Sequence, residues 1–359
     1  MKNIFKLLAF LPLLTACDDL FEPALENNRD LEAMYKEPSY AQGILANAYI
    51  ILPYETSPTS DLATDDAVTN EISSNYLRMA TGSWTANNNP VSQWQNRFNA
   101  IQYINLFLEN VDKVEWAKDE RISTMFLDRL KGEAYGLRAL HMYYLLRAHG
   151  GKIADGTLMG VPIILKSEGP DADFNHARAT YSDCVKQIME DADKAIELLP
   201  LDYKKFADSE IPEKYKNIGV TNASDYRRVC GEEYRGLMSG RIALAVRAQT
   251  ALLAASPAFQ SGSGMTWEQA ADYAAEIIEK ANGGGGCGLD ADGLEWYTLA
   301  DKDYGTGGSP AEVIWRSSTD DNNTLETANF PPSLYGNGRV NPTQNLVDAF
   351  PMANGYPIS

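Results

Sequence analysis

Apolar and small residues between Leu127 and Ala148 recur at Leu127, Leu130, Ala134, Leu137, His141, Tyr144 and Ala148. Steps of three and four put them on one face of a helix, and the pattern predicts that helix from about Ile122 to His149. Arg138, Tyr143 and Arg147 fall off the stripe. Gly150-Gly151 closes the helix, because glycine takes the left-handed C-terminal conformation without steric cost. The helix outruns the ~11–12 residues of an average one, so it reads as a spine for others. The same periodicity predicts a helix opened by Pro38-Ser39 and running to about Leu52, with Ile44, Ala48 and Ile51 on one face. A second runs from Gln93 to about Val114 through Trp94, Phe98, Ile101, Asn105 and Leu108. Asn105 sits on its apolar face and reads as a satisfied core polar group. Thr180 caps a third, Tyr181 to Leu199, which Pro200 ends. Arg241–Ala255 is alanine-dense, and Thr266 opens a partner, Trp267 to Asn282, with Ala270, Tyr273, Ala274, Ile277 and Ile278 inward.

Between these helices the pattern lapses. Pro53 to Asn75 is a long loop rich in Thr, Ser, Asp and Pro, and loops of that length in a compact domain are usually functional. Residues 160–165 are a short extended segment. Residues 202–235 are charged and irregular, as for a surface insertion. A tetraglycine stretch, Gly283 to Gly286, opens a different region, where Glu312 to Arg316 is a short strand candidate and Pro, Asn and Gly dominate the rest. The alanine-rich helix followed by WxxAxxYAxxII resembles a tetratricopeptide repeat, whose units expose apolar faces and must stack on neighbours. The fold class is therefore mainly α: a tetratricopeptide-like helical scaffold at 39–282, with insertions at 53–92 and 202–235. A loop-rich subdomain with little β follows at 283–359.

The N-terminus changes the picture of where such a chain resides. Lys2 and Lys6 precede an apolar run, Leu7 to Leu14, too short for the ~20 residues a membrane span needs and shaped like a signal-peptide core. Leu14-Thr15-Ala16-Cys17 then resembles a bacterial lipobox, in which the cysteine is lipidated; an ordinary secretory signal ending near a cysteine is the alternative. Residues 1–16 are thus a signal peptide and 17–38 a tether. Without the signal the chain holds 29 basic against 49 acidic residues, a net −20. That excludes the basic footprint of a nucleic-acid binder and disfavours lying flat on anionic lipid.

Candidate chemistry is sparse. Beyond Cys17 there are Cys184, Cys230 and Cys287; Cys184 reads as a small buried hydrophobe, and Cys230–Cys287 as a conceivable bridge. Asp301, Asp303, Gly305 and Glu312 match part of a calcium-loop spacing, but Thr306 occupies the required glycine position. There is no zinc-type Cys/His spacing and no HExxH, GxSxG or GxxxxGK[ST] motif. A carboxylate pair for glycoside hydrolysis is always available among so many acids. Trp84 stands beside Asn87, Asn88 and Asn89 in a loop flanked by Gly and Pro. A flat aromatic face with amides at its rim suits a pyranose ring, while an inward-packed Trp84 anchoring its loop is the competing reading. Trp296-Tyr297 is the second such candidate. Trp94, Trp267 and Trp315 lie in periodic segments and read as core; Trp116 follows a helix end and is undecided.

Several pieces, in order, resemble the SusD/RagB family of outer-membrane nutrient-binding lipoproteins of Bacteroidetes. They are the lipobox, Asp18-Asp19, Tyr103-Ile104-Asn105, and Gly132 to Ala139 (GEAYGLRA). Gly150-Gly151 with Val161-Pro162, Asp191 to Pro200 (DADKAIELLP) and Glu312 to Trp315 continue the series. Asn341-Pro342-Thr343 and Asp348 to Ile358 (DAFPMANGYPI) close it. The spacing from Gly150-Gly151 to Val161-Pro162 implies an insertion at Lys152 to Met159. Family members run on past the phrase resembling DAFPMANGYPI, so the resemblance implies a C-terminally incomplete chain. It further implies a non-catalytic surface lipoprotein, anchored in the outer membrane through Cys17, with loops that face a ligand. Such a protein passes oligosaccharide, or peptide as in RagB-like members, to a TonB-dependent SusC-like transporter. No cofactor is implied.

Overall fold

The computed structural model describes residues 31–53, 60–85, 87–280, 313–316 and 322–357. Its long helices follow the apolar periodicity. They are α1 (Ala33–Lys36), α2 (Pro38–Ile50), α3 (Asn75–Ala80), α4 (Trp94–Asn110), α5 (Glu120–His149) and α6 (Tyr181–Leu198). After these come α7 (Glu213–Lys216), α8 (Ala223–Cys230), α9 (Gly240–Ala255), α10 (Gln260–Ser263), α11 (Trp267–Lys280), α12 (Thr324–Asn329) and α13 (Gln344–Ala349). Side chains set the starts: the Thr180 hydroxyl accepts the Asp183 N–H and Ser239 accepts the Ile242 N–H. The long helices pack in a row, α2 on α4, α4 on α5, α5 on α6, α6 on α9 and α9 on α11. One continuous core runs through that row, the stacking that repeat helices with apolar faces require.

α5 is the spine, and three of the motifs quoted above meet on it. Arg138, placed off the apolar stripe by its spacing, is in fact buried. Its guanidinium donates to both oxygens of Asp191 on α6, at 2.7 and 2.8 Å, and to Asn105 Oδ1 on α4, at 3.0 Å. Asn105 in turn donates to the Ile164 and Lys166 carbonyls, the satisfied core polar role its position predicts. The fork geometry of arginine explains why a charge occupies this spot. Tyr143 is likewise buried.

The end of α5 needs a correction. Gly150 is not left-handed; it has φ −74° and ψ 149°. Glycine is required there for close approach, since a Cβ would lie 2.6 Å from the Leu146 carbonyl oxygen and 2.9 Å from the Tyr181 ring. Gly151 has open space around it and begins β2 (Gly151–Lys152), which pairs antiparallel with β3 (Leu158–Met159). The insertion at Lys152 to Met159 is thus built as a small hairpin.

Residues 202–235 are not a surface insertion either. Phe206, Ile211, Tyr215, Val220, Tyr226, Val229 and Cys230 form a second buried cluster against Ile122 and Met125 of α5. Tyr226 meets Phe206 edge-on with centroids 4.9 Å apart. Each such side chain contributes roughly 1.5–3 kcal/mol by leaving water. Cys230 is a free thiol inside this cluster and not half of a bridge, and burial pushes its pKa up to about 12; Cys287 lies outside the described residues. Cys184 is buried as its pattern predicts, with its sulfur bonded to the Val161 backbone.

The tryptophans divide differently from their periodicity. Trp94 is 44% exposed and Trp267 49% exposed, so neither is core; each sits in the first turn of its helix, where the stripe is not yet covered. On α11, Ala270 is buried and Tyr273 and Ile277 half-buried, but Ala274 and Ile278 face outward. Trp315 is half-buried and donates its indole N–H to the Gly236 carbonyl at 2.8 Å, and residues 313–316 form no strand. Trp116 is buried and donates to the Val111 carbonyl. Among the described residues no helix is long and apolar enough to cross a membrane.

Candidate functional site

The loop between α3 and α4 presents the sequence-derived candidate. Ser74 caps α3 by accepting the Leu77 N–H, and past the helix end the Ser83 N–H returns to the Arg78 carbonyl at 2.9 Å. Thr85 and Asn88 then exchange backbone hydrogen bonds of 3.3 and 3.0 Å, which makes a tight turn. Asn88 Oδ1 accepts from Arg78 Nη1 at 3.3 Å, and Asn89 Oδ1 accepts the Val91 N–H at 3.0 Å. Asx-type bonds of this kind are why asparagine clusters favour turns. The loop ends where the Gln93 N–H donates to His149 Nε2, at 3.0 Å, on the last turn of α5. Burial, then the nearby Arg178 charge, lowers the pKa of His149, which keeps that nitrogen an acceptor.

On this frame Trp84 is half exposed, with 50% of its surface open, and Asn87 and Asn88 are exposed beside it. Trp84, Asn87 and Asn88 are therefore all exposed on one short turn. Trp296, Tyr297, Cys17 and the calcium-like stretch 301–312 lie outside the described residues.

A second loop-rich segment, far along the chain, is fastened to the same region. β1 (Ala67–Val68) pairs antiparallel with β4 (Asn341–Pro342), Ala67 opposite Pro342 and Val68 opposite Asn341. The Thr343 N–H donates to the Asp66 carbonyl at 2.8 Å, and its hydroxyl donates to the Asp65 carbonyl. Glu71 pairs with Arg339 at 2.6 Å. Beyond α13, the Met352 N–H donates to the Tyr356 carbonyl at 2.8 Å in a tight turn that leaves Phe350, Met352 and Tyr356 exposed. Sequence reasoning missed this clamp; the Asn341-Pro342-Thr343 triplet was its only trace, and two-residue strands leave no periodicity to read.

Buried titratable groups belong to the scaffold instead. Glu133 accepts from Tyr49 at 2.7 Å beside Arg129, and burial raises its pKa. His141 bridges the Ala48 carbonyl and Arg97, and burial together with that guanidinium lowers its pKa to about 3. Among the described residues no group of three or more His, Cys, Asp or Glu could hold a metal ion.

The family described as SusD-like, starch-binding associating with outer membrane, matches residues 25–214. The chain belongs to the SusD-like family. The match takes in the Trp84 loop, the Arg138–Asp191 pair and most of the helical row. A SusD-like protein from Bacteroides fragilis superposes with a TM-score of 0.62 at 18% identity, covering 94% of this chain and 57% of that one. A SusD superfamily protein from Bacteroides vulgatus gives 0.59 at 19% identity, with 88% and 62% covered. A SusD-like carbohydrate binding protein from Bacteroides fragilis gives 0.58 at 19% identity, with 91% and 55% covered. At such identities the likeness is one of fold, and this SusD-like chain spans somewhat more than half the length of those structures. Comparison with curated proteins yields no significant match.

Proposed function

We propose that this SusD-like protein captures oligosaccharide at its loop-rich face, holds it without chemistry, and passes it to a TonB-dependent SusC-like transporter in the outer membrane. One observation carries the reading: within the matched family region, Trp84 is half exposed beside Asn87 and Asn88, on a loop tied to α3 through Arg78 and to the end of α5 through His149. A loop backbone tied in this way loses little freedom when a ligand binds to it, and such pre-organisation favours binding. Lipidation of Cys17 supplies the membrane tether. The strong negative charge keeps the body off anionic headgroups, so it projects from the surface on the residues between Cys17 and α1.

Calorimetric titration of the full chain with a panel of oligosaccharides and peptides tests the reading. A panel containing glucans and xylans should give saturable binding to at least one glycan, recovered intact afterwards. Binding to peptides alone would favour the RagB-like alternative, and cleavage of the recovered glycan would make the protein a hydrolase.

A further inference from the structure

Residues 323–357 fold back on themselves more than on the body. Within the segment, Asn337 donates its N–H to the Thr327 carbonyl at 2.6 Å, Gly338 to Phe330 at 2.8 Å and Arg339 to Ala328 at 2.8 Å. None of these residues is buried, and none of their apolar side chains joins or packs on either buried cluster. Phe330, Leu334, Phe350 and Tyr356 are exposed instead. Burial of apolar surface is the main force that docks one element on another, and this segment barely draws on it.

Its bonds to the described body gather at one place, the clamp. The β1–β4 ladder is two residues long, and within it Ala67 is buried while Val68, Asn341 and Pro342 are exposed. Thr343 adds its N–H to the Asp66 carbonyl, at 2.8 Å, and its hydroxyl to Asp65. Arg339 and Glu71 pair at 2.6 Å, with side chains 45% and 39% exposed. A short two-stranded ladder is marginal by itself, and an exposed ion pair shifts an equilibrium by no more than about fivefold. The body side of the clamp is the firmer one. Leu62 and Ala67 are buried, and the Glu71 carbonyl accepts the Ser74 N–H, at 3.0 Å, where Ser74 caps α3.

We infer that residues 323–357 are a strap that opens from the body as a local event while the helical row stays closed, with the β1–β4 ladder and the Glu71–Arg339 pair as its latch. Proteins open locally at a free energy set by the contacts each part makes, and the strap makes few. The helices of the row share one continuous core, so their opening requires the whole chain. The strap needs no ligand to open, so this inference stands apart from the glycan reading.

Hydrogen exchange of the full chain, followed by mass spectrometry with single-amide fragmentation, tests it. The Thr343 amide should exchange at least about a hundredfold faster than amides in the middle of α5. Raising sodium chloride from about 0.05 M to about 1 M should speed Thr343 by about two- to fivefold, as the ion pair is screened, and leave α5 unmoved. Glu71→Gln should give the same acceleration in low salt and remove the salt response. Adding Arg339→Gln to it should bring nothing further, because the pair is already broken. Exchange at Thr343 as slow as in α5 would show that the strap opens only when the whole chain unfolds, which overturns the inference. A salt response that survives Glu71→Gln, or an acceleration that α5 shares, would overturn it too, since the pair would then not be the latch.

Discussion

Replacing Arg138 with methionine removes the charge that joins α4, α5 and α6. The Asp191 side chain is fully buried and that of Arg138 almost so, so water cannot take over the two charge-assisted bonds of 2.7 and 2.8 Å. Asn105 Oδ1 loses its partner as well. Breaking a buried pair by deleting one member costs about 3–5 kcal/mol, because the other charge is left uncompensated. A domain is stable by only about 5–15 kcal/mol, so Arg138→Met should leave the protein marginal. Arg138→Lys should fall in between, since an ammonium cannot fork to both carboxylate oxygens. Adding Asp191→Leu to Arg138→Met should recover most of the loss, because an apolar pair of similar volume replaces an ion pair at little net cost. Urea unfolding followed by far-ultraviolet circular dichroism gives the free energies, provided the slope with denaturant stays constant. A loss below about 1 kcal/mol for Arg138→Met, or a double variant less stable than the single one, would refute the burial argument.

Gly150→Ala should destabilise by about 1–3 kcal/mol, the range for overpacking, as its Cβ meets the Leu146 carbonyl. Gly151→Ala, with open space around it, should be neutral or slightly stabilising; equal effects in urea unfolding would contradict the close-approach explanation. His141 is held to a pKa of about 3 in the folded chain, below its unfolded value, so its contribution is complete above about pH 6.5 and is lost as pH falls toward 3. Stability should decline over that window by about 1.4 kcal/mol per pH unit from this group, and His141→Gln should remove that slope; an unchanged slope would mean His141 is not the titrating group. The thiol of Cys230, pushed up to about 12 by burial, should resist a thiol reagent at neutral pH until the chain unfolds. Rapid labelling of native protein, mapped by mass spectrometry, would contradict its burial in the second cluster.

Helices were legible wherever one face was apolar over several turns. The bounds of α5 differ from the periodic estimate by two residues at its start, and Thr180 opens α6 as its hydroxyl suggests. Periodicity sorts positions by face but cannot see a partner, which is why Arg138 was placed outside the stripe although Asp191 draws it inside. The stretch 202–235 misled for the opposite reason: its buried Phe206, Ile211, Tyr215 and Val220 are spaced irregularly among lysines and acids, and α7 and α8 are short. Trp94 and Trp267 show that a tryptophan in the first turn of a periodic segment can stay largely exposed; Trp94 meets ring edges, those of Phe98 and His149 among them. Composition singles out the Trp84 loop as a candidate because tryptophan and asparagine carry their chemistry locally. The clamp through Glu71, Arg339 and the β1–β4 ladder depends on residues brought together from distant parts of the chain.

Calorimetric comparison of the native chain with Trp84→Ala, titrated with the oligosaccharide it binds best, bears most directly on the central claim. Loss of a stacking ring should weaken affinity by about tenfold or more while urea stability stays within about 0.5 kcal/mol, as for other surface changes. Undiminished affinity in a folded Trp84→Ala protein would show that the glycan is held elsewhere and that this loop is not the site.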